Sequence, residues 1–391
     1  MGIDIKQDIS EMSEELVATR RDLHQHPELA FEEVRTADIV GKHLENLGMD
    51  VTRGIAETGV VGLLQGANQG PTLMIRADMD ALPVQEPDDR PYSSAIDGKM
   101  HACGHDGHTA VAMAVASILA KYRDSLNGQV KFVFQPAEEI IAGGKAMLDA
   151  GVMQDPKVDK VLVFHMWSPL PVGTVAVQPG PIFSSVDEIS ITINGKGGHG
   201  GLPHLSVDPI PIACQLIGAL QTLISRETPA SQQVVLGFGS IHGGSQFNII
   251  PETVEMRGNL RTLDDTIRRH LLTRIEEMAD STARAMGASC TVQRVRGAPV
   301  MMNDPEMADM IADVARGVVG NEKVITTHPS PVGDDASYFL REAPGCYFLV
   351  GCSNDKRGIG APHHSPQFDI DEDSLAVATN VMTGAALKLL S

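Results

Sequence analysis

The chain has 391 residues, 42% of them hydrophobic, and a formal net charge of −19. That length exceeds one ordinary hydrophobic core and suits two domains. The acidic balance argues against nucleic acid, because phosphate recognition needs a basic face. No run approaches the ~20 apolar residues that span a bilayer, so no membrane partner is expected. Residues 1–13 are polar, mixed in charge and without an apolar signal region, and a cytoplasmic location is the expectation. Cys103, Cys214, Cys290, Cys346 and Cys352 are scattered and odd in number, so no disulfide framework is implied.

Apolar residues recur at helical spacing over 9–26 until Pro27, and 36–47 gives a second helix ended by Gly48. Three β-rich segments follow at 50–54, 59–65 and 71–76, the last running into Ala77-Asp78-Met79-Asp80. Residues 109–126, rich in Ala, Val and Met, read as a helix. An apolar strand at 130–134 leads to Gln135-Pro136-Ala137-Glu138-Glu139. A helix from Gly143-Gly144 to 150 follows, then a strand at 160–164 that delivers His165. This alternation predicts an α/β fold with a mixed, mostly parallel sheet flanked by helices. Ligand sites in such sheets collect beyond the strand C-termini. Asp78, Asp80, Glu138, Glu139 and His165 all occupy such positions.

Pro- and Gly-containing breaks at 179–185 and 297–305 bracket a different pattern. Strand 188–194, helix 207–225, strands 232–241 and 253–260, helix 264–286 and strand 289–296 follow in order. That is the ferredoxin-like split βαβ arrangement, here an inserted α+β domain. The expected division is 1–183 and 299–391 for one catalytic domain, with 184–298 inserted.

The residues with the densest chemistry are Met100-His101-Ala102-Cys103-Gly104-His105-Asp106-Gly107-His108-Thr109. Thiolate and imidazole suit zinc and its neighbours, and a C-x-H spacing lets both point at one ion. Glu138 and Glu139 are adjacent, so their side chains point apart; one carboxylate can hold a metal while the other activates water. An isolated Glu pair is as readily a solvated turn. His165 is either a ligand or a buried hydrogen-bonded histidine. Either of His363 and His364, after a Gly-rich stretch, could complete a set. Cys103, His105, Glu139, His165 and His364 would suffice for two divalent ions sharing one bridging group. Oxygen-only magnesium or calcium sites fit this set poorly. In the inserted segment, His199 lies in a glycine loop and could donate a hydrogen bond to a developing oxyanion. Arg257 and Arg261 share a strand face, and a guanidinium suits a substrate carboxylate. Asn248 is a weaker polar candidate.

Taken together, several motifs carry a resemblance. They are Arg21-Asp22-Leu23-His24-Gln25-His26-Pro27-Glu28-Leu29, Asp78-Met79-Asp80-Ala81-Leu82-Pro83, the 101–109 stretch and Gln135 to Glu139. Gly197 to His204, Asn248 to Pro251, Arg261-Thr262 and His364-Ser365-Pro366 complete the series. The chain resembles the amidohydrolase branch of the aminoacylase/carboxypeptidase metallopeptidase family, which includes hippurate hydrolases, auxin-conjugate hydrolases and N-acyl-amino-acid hydrolases. The resemblance implies a di-metal peptidase-like catalytic domain with an inserted lid, and a homodimer formed through that lid. It implies Cys103 as the bridging ligand and His105, Glu139, His165 and His364 as the others, for two divalent ions per subunit (Zn, Mn, Co or Ni). Glu138 would be the general base and Asp80 would orient a ligand. His199 would act from the lid, in some relatives across the subunit interface, and Asn248 and Arg261 would bind substrate. The chain departs from the family pattern at Gly200-Gly201-Leu202, and at Asp334-Asp335-Ala336, where Glu-Asp-Phe is expected.

The expected reaction is therefore hydrolysis of the amide of an N-acyl or N-aroyl amino acid by a metal-activated water, releasing a carboxylic acid and a free amino acid. Deacetylation of an N-acetyl-diamino acid, or a carboxypeptidase or dipeptidase activity, is the alternative within the same class. A non-catalytic metal-binding protein is the alternative outside it. A cysteine nucleophile at Cys103 is also conceivable. H-E-x-x-H, G-x-S-x-G and the P-C-x-x-C partner of zinc deaminases do not occur.

Overall fold

The computed structural model describes residues 4–391, so the first three residues of the polar N-terminal stretch lie outside it. The chain forms two compact units. The first runs to Ile182 and resumes at Met302–His328 and Asp334–Ser391; the second comprises Phe183–Met301 and Pro329–Gly333.

In the first unit the strands are β1 (Asp50–Ile55), β2 (Gly59–Gln65), β3 (Asn68–Asp78), β4 (Asn127–Gln135), β5 (Lys160–Pro171), β6 (Val175–Ala176), β7 (Val324–Ile325) and β8 (Gly345–Ser353). They form one sheet in the order β1-β2-β4-β3-β5-β8-β6-β7. The central run β4-β3-β5-β8 is parallel, whereas β1-β2, β2-β4 and β8-β6 are antiparallel. The mixed, mostly parallel sheet flanked by helices is the fold class expected.

Leu73, Ile75, Phe132, Phe134, Leu162, Phe164 and Phe348 line the sheet side of one core. Each such side chain contributes roughly 1.5–3 kcal/mol on full burial. The helix His105–Lys121 packs here and is apolar nearly all round, as a helix buried on every side must be. It starts four residues before the expected 109, because Gly104 takes a left-handed φ of +91° and turns the chain directly into it. His105, Asp106 and His108 consequently lie in its first turn.

β5 also departs from expectation. It continues past His165 to Pro171, where the sequence 166–171 reads as loop. The cause is distant: β8 pairs Leu349 with His165, Val350 with Met166 and Gly351 with Trp167. Register places Asp78 beside Gln135 and Arg76 beside Val163, so β3 and β4 end near the level of His165 on β5.

The second unit is a four-stranded antiparallel sheet of Val186–Asn194, Val234–His242, Thr253–Thr262 and Ser289–Ala298, with helices Pro209–Thr222 and Asp265–Ala285. In space Val234–His242 is an edge strand, followed by Thr253–Thr262, Val186–Asn194 and Ser289–Ala298. Ile189, Ile191, Ile193, Leu216, Met256, Leu260, Leu271 and Ile275 form its own core. Residues 329–333 return to this unit, which no pattern in 299–391 announces: the Pro331 carbonyl accepts from Arg261 Nη1 at 2.8 Å and from Ser184 Oγ at 3.0 Å. Among the described residues no helix is long and apolar enough to cross a membrane.

One buried cation braces the approach to β5. Lys131 on β4 is 2% exposed, and its ammonium donates to the carbonyls of Val152, Gln154 and Pro156 at 2.9, 2.7 and 2.8 Å. Burial lowers its pKa to about 8, so at neutral pH it still carries the protons that make all three bonds. Lys131→Met leaves the carbonyls without that donor. It is expected to cost about 1–3 kcal/mol and to lower the thermal unfolding midpoint measured by circular dichroism.

Candidate metal centre

The stretch Ala102-Cys103-Gly104, the first turn of helix His105–Lys121, the turn after β4, the end of β5 and the loop at His364 bring their side chains together in the first unit. Four sets of possible donors have atoms all within 4.8 Å of one another: Cys103, His105 and His165; Cys103, Glu139 and His364; His105, Glu138 and Glu139; and Asp78, His105 and His108. Cys103 Sγ lies 3.7 Å from His165 Nε2, and His364 Nε2 lies 3.4 Å from Glu139 Oε2. Of the two adjacent histidines left open by sequence, His364 joins the cluster. Its backbone, at φ +66°, is tied by its N–H to the Ala102 carbonyl at 2.8 Å. His363 instead packs its ring between Trp167 and Phe368 and accepts the Ser168 N–H at 3.2 Å.

Hydrogen bonds settle which ring nitrogen faces inward. His105 donates Nδ1–H to the Asp80 carbonyl at 2.8 Å, and His165 donates Nδ1–H to the Met166 carbonyl at 2.6 Å. Both rings therefore turn Nε2 away from the backbone, the nitrogen a metal-ligating imidazole offers once deprotonated. His108 is committed differently. Its Nε2 accepts the Met166 N–H at 2.9 Å, so Nδ1 donates to Asp78 at 2.6 Å. Its place is beside the donors, orienting Asp78 and the end of β5.

The fit to cations rests on unsatisfied atoms. His105 Nε2 and Glu139 Oε1 are buried without a hydrogen-bond partner, a costly arrangement unless something else meets them. Burial, with Glu139 and Glu138 nearby, raises the Cys103 pKa well above the usual thiol value. Burial, then Asp334 and Glu139, raises Glu138 well above the carboxylate range, and burial pushes Glu139 up to about 7. Burial opposes charge on His105, yet Asp78 and neighbouring carboxylates push it up to about 10. A concentration of buried acids that must hold protons is what divalent cations relieve, since binding displaces those protons. Soft and borderline donors mixed in this way suit Zn, Mn, Co or Ni better than Mg or Ca.

Asp80 ties two of these elements together. Its carbonyl accepts from His105, and its carboxylate Oδ2 accepts the Glu139 N–H at 2.9 Å. Behind Glu138 lies a group that sequence reasoning missed. Arg76, fully buried on β3, donates to Gln135 at 2.8 Å, Asp78 at 2.6 Å and Asp334 at 3.1 Å. Asp334 and Asp335 lie with Glu138 in one buried set, and Tyr347 Oη donates to Asp334 at 2.9 Å. The departure at Asp334-Asp335-Ala336 thus falls on the buried surroundings of Glu138. Asp335 reaches the N–H of Gly144 at 2.8 Å.

A second missed group supports the helix start. Arg20 donates to Asp106 at 2.8 Å and to Asp369 at 2.9 Å, while His24 bonds Asp106 at 2.7 Å and Glu86 at 3.2 Å. The cap position is Gly104, which supplies no side chain, and Asp106 serves this ion network. The available signal was Arg20 and His24 four apart on the same helical face as Leu16 and Leu23.

His199, Asn248 and Arg261 belong to the second unit. His199 pairs with Ile249 in a short two-stranded ladder, and its Nδ1 accepts the Gly201 N–H at 2.9 Å, which leaves Nε2–H as a donor. The Asn248 carbonyl accepts the Gly200 N–H at 2.8 Å. Arg261 bonds Asn259 and the Pro331 carbonyl, and Arg257 is paired with Glu255 at 3.0 Å.

An α/β sheet whose strand ends carry a buried cluster of thiol, imidazole and carboxylate donors defines a metal-dependent hydrolase. The chain belongs to peptidase family M20/M25/M40, whose model matches residues 74–388, and so to its amidohydrolase and peptidase class. It is 37% identical to the thermostable carboxypeptidase 2 of Saccharolobus solfataricus, covering 98% of each chain. It is 36% identical to the N-acetyl-L-cysteine deacetylase of Bacillus subtilis, over 98% of this chain and 90% of that one. The crystal structure of the Bacillus subtilis YXEP protein, described as a dinuclear metal binding peptidase, is 34% identical, with a TM-score of 0.83 and coverage of 97% of this chain and 99% of that one.

Burial opposes ionisation of Asp106 and Asp369, but Arg20 beside them holds both below the carboxylate range. A carboxylate held below its unfolded value stabilises the fold above about pH 4 and loses that contribution as the pH falls. Arg20→Met removes the depression, so its acid-unfolding midpoint is expected at higher pH than that of the parent. The single tryptophan, Trp167, serves as the fluorescence probe.

Proposed function

We propose that the protein hydrolyses the amide bond of N-acyl or N-aroyl amino acids, releasing a carboxylic acid and a free amino acid. The observation that carries this reading is that two adjacent glutamates both reach His105 yet differ in their remaining neighbours. Glu139 stands with Cys103 and His364, whereas Glu138 stands with Asp334 and Asp335. In this reading Glu139 is a ligand and Glu138 moves a proton. Cys103, His105, Glu139, His165 and His364 would hold two divalent ions, which when bound would supply Lewis acidity. Glu138, with its proton affinity raised by burial, takes the proton of the attacking water and delivers it to the departing amine nitrogen. The C–O bond forms as the C–N bond breaks. His199 donates Nε2–H to the developing oxyanion. Arg261 and Asn248 receive the carboxylate and polar groups of the amino-acid half, while Asp80 keeps His105 and Glu139 oriented.

The relatives' names, a carboxypeptidase and an N-acetyl-L-cysteine deacetylase, motivate a comparison among amide substrates. Initial rates over benzoyl, acetyl and long-chain acyl amino acids and over dipeptides are expected to give the highest kcat/KM within the N-acyl set. A preference for dipeptides would instead favour a peptidase.

The second unit is also the proposed dimer surface. Its edge strand Val234–His242 exposes Val235 and Ile241, and Phe247 in the following loop is 99% exposed, an apolar run that soluble proteins ordinarily cover. Light scattering is expected to give twice the chain mass.

Two substitutions separate the roles. Glu138→Gln is expected to lose about 10²–10⁴-fold in kcat while keeping its metal content by elemental analysis. Cys103→Ala removes a donor that two of the sets share and is expected to lose both activity and bound metal. Near-normal turnover in Glu138→Gln would exclude it as the base.

A further inference from the structure

The turn that carries Glu138 and Glu139 is wound against the preferences of its own residues. Ala137 and Ile141 both sit at φ +54°, a left-handed conformation that β-branched residues above all avoid. A Cβ on Gly143 would fall 1.6 Å from the Pro136 carbonyl oxygen, so the turn closes on itself without slack. The Ala137 carbonyl accepts from Ala142 and Gly143, and the Glu138 carbonyl accepts from Ile141 at 2.7 Å. Backbone of this kind persists where its surroundings over-determine it.

Three carboxylates from outside the turn do so by holding main-chain N–H groups on either side of the two glutamates. Glu33 holds Ala137 at 2.9 Å, Asp80 holds Glu139 at 2.9 Å, and Asp335 holds Gly144 at 2.8 Å. Glu33 is the least expected of them. It occupies the cap position of helix Val34–Asn46 yet does not cap it. Glu28 performs that task, its carboxylate accepting the N–H groups of Arg35 and Thr36 at 2.8 Å each. Glu33 is fully buried, and Thr58 Oγ1 donates to its other oxygen at 2.5 Å, which fixes the carboxyl group facing Ala137. No cation pairs with it among the described residues. A buried carboxyl with no counter-ion, relieved of capping and aimed at one strained peptide, is an expensive way to hold a loop that only needs to be stable.

We propose that Glu33 is a positioning residue: by holding the Ala137 N–H it keeps the left-handed bend that sets Glu138 against Asp334 and Asp335 while Glu139 meets Cys103 and His364. The inference rests on the reading of Glu138 as the base, and it adds a residue distant in sequence and on another element.

The test compares Glu33→Ala, Glu33→Gln and Glu33→Asp with Glu138→Gln in the full-length, metal-loaded protein. Hydrogen–deuterium exchange over residues 136–143 is measured beside kcat and KM on the best N-acyl amino acid. Glu33→Ala is expected to exchange about tenfold faster at Ala137. Its kcat should fall about 10- to 100-fold with KM within about 3-fold of the parent. Glu33→Gln keeps an oxygen for Ala137 and a donor for Thr58, and is expected to restore both exchange protection and kcat. A merely stabilising role would move neither the kcat-against-KM split nor the rescue. Parental exchange and kcat in Glu33→Ala would overturn the proposal. So would a Glu33→Gln variant as impaired as Glu33→Ala, because charge rather than the Ala137 bond would then matter. If Glu33→Ala does not fold, Glu33→Asp carries the test, being one methylene short of Ala137; parental exchange and kcat there would overturn it. Full activity in Glu138→Gln refutes the base and not the hold on Ala137, which the exchange data judge separately.

Discussion

Carboxylates removed from water must be met by a cation or by hydrogen-bond donors, and that requirement organises the first unit. Around the ends of β3, β4 and β5 stand Asp78, Asp80, Glu138, Glu139, Asp334 and Asp335, all buried or nearly so. Arg76 answers Asp78 and Asp334 from below. Arg20 answers Asp106 and Asp369 beside the helix start. Main-chain N–H groups answer one oxygen each on Asp80 and Asp335. Glu139 Oε1, His105 Nε2, Asp80 Oδ1 and Asp106 Oδ1 are among the atoms that remain buried without a hydrogen-bond partner. The protein neutralises the periphery with its own groups and leaves the middle to divalent ions.

The same division governs the histidines. His105 and His165 each spend Nδ1–H on a backbone carbonyl and leave Nε2 uncommitted, whereas His108 spends both nitrogens on Asp78 and Met166. The partner of one nitrogen decides what the other can do. Three imidazoles within one cluster therefore differ in role through main-chain groups that belong to the sheet.

Much of this was legible in the linear chain. Apolar runs ending in Asp78, Gln135 and His165 announced parallel strands with chemistry at their C-terminal ends. The C-x-H spacing of Cys103 and His105 announced soft donors. Choosing between His363 and His364 was beyond local pattern, because it depends on the ring of His363 filling the gap between Trp167 and Phe368. Arg76 and Arg20 were missed because each looks like an ordinary charged residue until its burial is known. β5 was drawn too short because the residues extending it are held by β8, nearly two hundred positions away.

The sequence by itself determined the alternation of strands and helices, the inserted split βαβ pattern and the types of donor available, since these depend on side-chain period and chemistry over short spans. Tertiary structure alone decided which ring nitrogens face inward, how the adjacent carboxylates of Glu138 and Glu139 are divided, and which arginines are buried to pair with acids. Those depend on dihedrals such as the left-handed bend at Ala137 and on partners such as Glu33, brought from distant elements by packing that no local window of residues contains.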